Sequence, residues 1–155
     1  MKRTPLRKTA KKKSRGWYSK KLDTIAKGFA KERDGYICQK SGEKLSGSNA
    51  HGSHVIPVSA GLALRWDLEN IKCLSYHYHL NWWHKNPLES AEWFKAKFPS
   101  RWKYLNEHKN VLVKISTKEL IEFYKQAKEC KTWQEYQAVY QKHMGQRTVF
   151  LCLHA

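Results

Sequence analysis

Five of the chain's eight histidines, His51, His54, His77, His79 and His84, fall between positions 51 and 84. Imidazole is the side chain whose ordinary pKa lies closest to neutrality, so it can take a proton from water, and its neutral ring is a common metal ligand. With a reference pKa of about 6.5, most of such a group is neutral at pH 7, so a histidine here can act as a general base without special tuning. Asn70 stands between the two halves of the cluster, sixteen residues after His54 and nine before His79. A general base beside metal-binding rings suits metal-assisted hydrolysis, in which a deprotonated water attacks and a cation absorbs charge on the departing oxygen.

The order and the residues around it resemble those of the HNH (ββα-metal, His-Me finger) endonucleases. His54 opens a His-x-x-Pro step in Ser53-His54-Val55-Ile56-Pro57, Gly61 lies in the loop that follows, and Asp67-Leu68-Glu69-Asn70 leads to the asparagine. His51-Gly52-Ser53-His54, Arg65-Trp66-Asp67, Asn70 and His79 are most similar to the phage NinG/Rap recombination-protein branch, and the likeness covers about residues 36–90. The resemblance implies that His54 is the general base, that the Asn70 segment orients it, and that His79 binds one divalent ion (Mg, Mn, Ni or Zn). His51 and His84 are the candidates for a second imidazole ligand, and His77 is the alternative to His79 in register. Two departures stand out. The four positions where many members hold a structural zinc read Cys38, Ser41, Ser75 and Tyr78, and Ser53 occupies the place of a metal-binding Asp. Packing must then replace the zinc, with a residual site at Cys38 and Cys73 plus a histidine as the alternative. A nucleic-acid-binding protein with a degenerate, inactive HNH site is the competing expectation.

Charge points to the same partner. Thirty Lys and Arg against thirteen Asp and Glu leave a formal +17, a surface that calls for a polyanion. DNA, duplex or branched, is expected. An anionic membrane is disfavoured because no apolar run is long enough to span one and the start lacks a signal-peptide stretch, so a cytoplasmic protein is expected, in the host cell if phage-encoded. Residues 1–15 carry eight basic residues and no acidic ones, too little apolar surface to offset the entropy of ordering, and read as a flexible arm for phosphate contact. Lys11, Lys12, Lys13 and Arg15 on that arm, with Lys85 beside the motif, are the DNA-binding candidates. Lys20, Lys21, Lys27 and Lys31 form one further basic stripe, and Lys95, Lys97, Arg101 and Lys103 extend another. Cys38, Cys73, Cys130 and Cys152 form no CxxC pair, which suggests reduced thiols. His108 and His143 read as solvated helix-surface residues.

These groups need elements to hold them. Leu22, Ile25, Ala26, Phe29 and Ala30 recur at helical steps and Gly35 supplies a stop, which predicts a helix over residues 17–33. Tyr36-Ile37-Cys38 begins an extended piece entering a turn-rich hairpin or knuckle. Residues 50–59 read as extended, and residues 74–83 as a helix. Asn86-Pro87-Leu88-Glu89 has the composition of a helix start, with Asn as cap and Glu to close a capping box, and Pro99 marks its end. Ser116–Glu119 and Thr132–Glu135 are two further capping-box signatures, opening helices at 117–129 and 133–144. The fold class is therefore α+β: one nuclease domain over residues 16–155, with a small ββα core near 36–90 embedded in several helices and a C-terminal helical hairpin at 116–145.

Overall fold

The computed structural model describes residues 13–145 and is mixed α+β. Helix α1 (Arg15–Arg33) begins at Ser14, whose hydroxyl accepts the Trp17 N–H at 3.3 Å. Its buried residues Leu22, Ala26 and Ala30 recur every fourth position, and the two alanines let other elements approach its axis. After Asp34 the chain reverses at Gly35 and Tyr36, with φ of 61° and 54°. It then folds into the expected knuckle, where the Cys38 N–H donates to the Glu43 carbonyl at 2.8 Å and Leu45 to Tyr36 at 2.7 Å.

Two strands follow, β1 (Ala50–His54) and β2 (Ile71–Ser75), paired antiparallel with Ala50 opposite Ser75 and His54 opposite Ile71. Leu74 and Ser75, expected to open a helix, instead complete β2. Every residue of that strand is buried, and a fully buried apolar run of five looks the same in sequence as the start of a buried helix. The extended segment at 50–59 is also shorter than expected: it ends at His54 and gives way to a bend and a short turn at Val58–Ala60. The helix after β2 is wound as a wider π-helix over Tyr78–Trp83.

Helix α2 (Pro87–Lys97) starts where the sequence placed it but is capped differently. Asn86 turns its amide back to the Trp82 carbonyl, and Glu89 accepts the Trp82 indole N–H at 2.9 Å. Pro99 stops α2 and also opens α3 (Pro99–His108), a helix the sequence did not predict, since a proline suits a first turn as well as it ends a helix. Helix α4 (Thr117–Glu129) has the expected capping box on Ser116 and Glu119. Helix α5 (Trp133–Tyr140) is capped by Thr132, while Glu135 reaches one residue further back, to the Lys131 N–H at 2.6 Å. It continues as a π turn to Gly145. Among the described residues no helix is long and apolar enough to cross a membrane.

The core has two parts that meet at β2. Ile71 packs with α1, α4 and α5 around Trp66, Phe123 and Tyr136, whereas Cys73 and Leu74 pack with Trp82, Trp83, Phe94 and Leu105. Arg101 belongs to this interior, not to a basic surface stripe. Its guanidinium donates to the carbonyls of Glu69 at 2.7 Å and Ile71 at 3.1 Å and pairs with the Glu69 carboxylate at 3.1 Å. Burial, reinforced by the nearby Arg33 charge, pushes its pKa down to about 10. His108 and His143 are likewise half-buried: His108 lies against the Tyr104 ring and reaches the Tyr104 carbonyl at 2.7 Å, and His143 stacks on Phe123.

Truncating Arg101 takes the donor from the Glu69 carbonyl and one of two from the Ile71 carbonyl, which keeps Arg33, so Arg101→Ala should lower unfolding free energy by about 1.5–3 kcal/mol. Lys103→Ala, on an exposed side chain of the same helix, should stay within about 0.5 kcal/mol. Urea denaturation of both variants checks this, and equal small effects would return Arg101 to the surface.

Candidate functional site

The segment between the strands is tied down from inside and outside. Inside, Asn70 is 1% exposed and spends its whole amide on the loop. Its Oδ1 accepts the Ile56 N–H at 2.7 Å, and its Nδ2 donates to the carbonyls of Ile56 at 3.0 Å and Leu64 at 2.9 Å. Outside, Tyr136 and Tyr140 on α5 donate their hydroxyls to the carbonyls of Trp66 at 2.8 Å and Ala63 at 2.6 Å. From α1, Asp23 takes both guanidinium arms of Arg65 at 2.8 Å and the Trp66 indole N–H at 2.8 Å. Burial alone would raise the Asp23 pKa, but those hydrogen bonds outweigh it and keep the carboxyl below its ordinary range.

That loop presents a backbone carbonyl to His54, whose Nε2 lies 2.9 Å from the Arg65 oxygen. A carbonyl can only accept, so Nε2 carries the proton. Burial, opposed by the Arg65 hydrogen bond, lowers the His54 pKa and favours the neutral ring. Nδ1 is then a bare lone pair with no hydrogen-bond partner among the described residues. Asn70 makes no hydrogen bond to His54. It positions the base through the loop, and the direct partner is a main-chain atom that no side-chain pattern could reveal.

His54 lines a cleft of about 590 Å³ together with His79, His84, Lys27 and the apolar faces of Trp83 and Trp102. His51, His79 and His84 form a chain in which His79 is central: its Nδ1 is 2.9 Å from Nδ1 of His51, and its Nε2 is 3.0 Å from Nε2 of His84. His51 Nε2 meets the Ser48 carbonyl at 3.0 Å, which sets the tautomers of the neutral chain. His51 must donate to Ser48, His79 to His51, and His84 to His79. Burial, then the His84 and His51 rings, hold the His79 pKa down to about 4, so the ring is neutral and suited to bind a metal. His77 remains exposed and edge-on to Tyr78.

Among the described residues, no three His, Cys, Asp or Glu side chains are arranged to hold an ion. The nitrogen separations within the imidazole chain, 2.9 and 3.0 Å, are those of hydrogen bonds and are shorter than the about 3.4 Å between neighbouring ligands on a tetrahedral ion with bonds of about 2.1 Å, so a pair of these rings would have to part slightly to hold one. An imidazole pair with no carboxylate among the described residues of the cleft suits a borderline transition-metal ion better than Mg²⁺. Ser53 does not substitute for one. It is 1% exposed, and its hydroxyl has no hydrogen-bond partner. Across the sheet Ser53 faces Lys72, which is fully buried with its ammonium 3.0 Å from the centre of the Trp83 ring. Burial pulls the Lys72 pKa well below the usual lysine value. The alternative zinc site is not assembled either: Cys38 and Cys73 are buried free thiols, and the Cys38 sulfur accepts the Ser75 N–H at 3.4 Å.

Of the DNA-binding candidates, Lys11 and Lys12 lie outside the described residues. Lys13 sits 3.8 Å from the centre of the Trp17 ring, and Arg15 is the first residue of α1. Lys85 is exposed and bonded to Asn81 at 3.2 Å. Lys97 is turned back onto the Gln39 carbonyl. Sequence reasoning missed Asp23 and the carbonyl of Arg65, and placed Lys27 only in a surface stripe. Comparison with protein-family models, curated proteins and solved structures finds no match.

Replacing Asn70 by Ala removes three hydrogen bonds and leaves the Ile56 N–H and the Ile56 carbonyl unpaired, while the Leu64 carbonyl keeps the Asp67 N–H at 3.4 Å. A loss of about 3 kcal/mol or more is expected in urea denaturation. Asn70→Asp, which keeps only the acceptor, should fall at least as far. Wild-type stability in both variants would remove Asn70 from the loop clamp.

Proposed function

We propose that the protein is a metal-dependent HNH-type endonuclease that hydrolyses DNA phosphodiester bonds. The observation that carries this reading is His54, held by Nε2 on a backbone carbonyl, with Nδ1 bare, in the same cleft as His79. In this reading Nδ1 of His54 takes a proton from water as the water oxygen attacks phosphorus, and Nε2–H shares the resulting imidazolium charge with the Arg65 carbonyl. Asp23, whose charge raises the His54 pKa, stabilises the same cation across the loop. His79, with His51 or His84, would hold one divalent ion, which supplies Lewis-acid stabilisation of charge on the phosphate and the departing oxygen. The +17 charge accounts for affinity to the polyanion without sequence selection. Recombination or DNA processing, in a phage, is the setting the sequence resemblance implies.

A second reading, a DNA-binding protein with an inactive site, draws on Ser53. A metal-binding carboxylate is missing there, and the hydroxyl in its place is sealed in the interior.

Supercoiled plasmid incubated with EDTA, Mg²⁺, Mn²⁺, Ni²⁺ or Zn²⁺ separates the two. Metal-dependent nicking or linearisation is expected, and its absence with every ion would establish the second reading. His54→Ala should reduce cleavage by about 10²-fold or more, the usual worth of a general base, while DNA affinity is retained. The pH profile carries a sign. Because burial lowers the His54 pKa below 6.5, the base form persists as pH falls through 6.5. The acidic limb of kcat/KM should therefore lie below pH 6.5, and a limb at or above it would contradict His54 as the base.

A further inference from the structure

Among the described residues the cleft contains one cation that a ligand can reach. Lys72 is closed off beneath Trp83, and among the residues lining the cleft Lys27 is the sole ammonium or guanidinium. The position of Lys27 follows from Gly52. A Cβ built on Gly52 would lie 2.8 Å from Cβ of Lys27, 2.9 Å from its Cγ and 3.1 Å from its Cα. No side chain fits between them, so α1 seats Lys27 directly on β1, two residues before His54. A stem pressed against a strand has already lost much of its rotamer freedom, which reduces the entropy cost of binding.

The head of Lys27 is also uncommitted. None of the ion pairs of the described residues includes it. The carboxylate one turn earlier on α1, Asp23, is occupied by Arg65 and Trp66. The Lys27 charge acts on both His54 and His79, disfavouring the charged form of each. An ammonium held beside neutral imidazoles, with no carboxylate in the cleft, attracts an anion of phosphate type.

We propose that Lys27 is the phosphate-binding residue of the cleft, holding the substrate phosphate beside His54 from the helix that precedes the motif. This rests on the phosphodiesterase reading above. It places substrate anchoring at the contact of α1 with Gly52 and not only on the basic arm.

The test titrates inorganic phosphate, and separately the dinucleotide thymidylyl-(3′→5′)-thymidine, into full-length protein and follows the His54 and His79 imidazole resonances by NMR. Lys27→Met keeps the stem that packs on Gly52 and should weaken both ligands by about 10- to 100-fold, the worth of one charge-assisted hydrogen bond. Lys27→Gln, which keeps a polar head on a similar stem, should also lose affinity, so the result does not depend on the folding of one variant. Lys27→Arg should retain affinity within about threefold. Unchanged affinity in folded Lys27→Met or Lys27→Gln would overturn the proposal. Because binding is read without turnover, phosphate held through Lys27 by a protein that cuts no DNA would support this role while rejecting the nuclease reading. DNA cleavage with wild-type KM and phosphate affinity in Lys27→Met would do the reverse.

Discussion

The guanidinium groups of Arg33 and Arg101 both end on the backbone of residues 68–71, where Arg33 donates to the carbonyls of Leu68 and Ile71 and Arg101 to those of Glu69 and Ile71. A tight turn between a loop and a strand exposes carbonyls that the sheet cannot satisfy, and in a buried position each needs a donor. Two arginines supply several at once, because the planar fork reaches more than one acceptor. Their charges are balanced locally by Asp34 and Glu69. Asn70 sits at the end of this turn, and only a turn held in place can hold a loop. The chain of support therefore runs from buried arginines to the turn, from the turn to the Asn70 amide, from the amide to residues 56–64, and through Arg65 to one nitrogen of His54.

The electrostatics of the cleft follow from what is absent from its lining as well as what is present. Imidazoles and an ammonium face the cavity, while the nearby carboxylates, Asp23 and Asp34, are engaged in structural hydrogen bonds. Such a surface attracts anions before cations. A dication in the free protein would meet Lys27 and lack a carboxylate, whereas with a substrate phosphate in the cleft it would meet a negative partner. In the proposed nuclease reading, affinity for metal and affinity for substrate would be coupled through the charge of the phosphate. Lys72 lies beneath Trp83, where burial favours its neutral amine, so the positive charge facing the cleft is that of Lys27.

What could be read from the chain depended on whether a feature lies in side-chain spacing or in backbone direction. Ser116 and Glu119 spell out a helix start by their chemistry, and the structure forms that capping box. The four-residue recurrence in α1 was equally legible. Strand β2 was not, because Leu74 and Ser75 continue a buried run without alternation. Helix α3 was hidden because a proline that ends one helix can equally open the next, as Pro99 does. Arg101 was assigned to the surface because charge alone does not tell which way a side chain turns. The order His54, Asn70, His79 located the cluster, yet the groups that tie it together, the Arg65 carbonyl and the Gly52–Lys27 contact, are main-chain features with no pattern of their own. Asp23 lies far from the motif in sequence and joins it only because α1 packs against the loop.

The loop fixes His54 as a neutral ring protonated on Nε2, with Nδ1 free of hydrogen bonds to the described residues. Two-bond proton–nitrogen correlation of the imidazole resonances near neutral pH, with His54 assigned by its loss in His54→Ala, reads that state directly. A protonated, pyrrole-type Nε2 and an unprotonated, pyridine-type Nδ1 are expected. A proton on Nδ1, or a ring protonated on both nitrogens, would contradict this assignment.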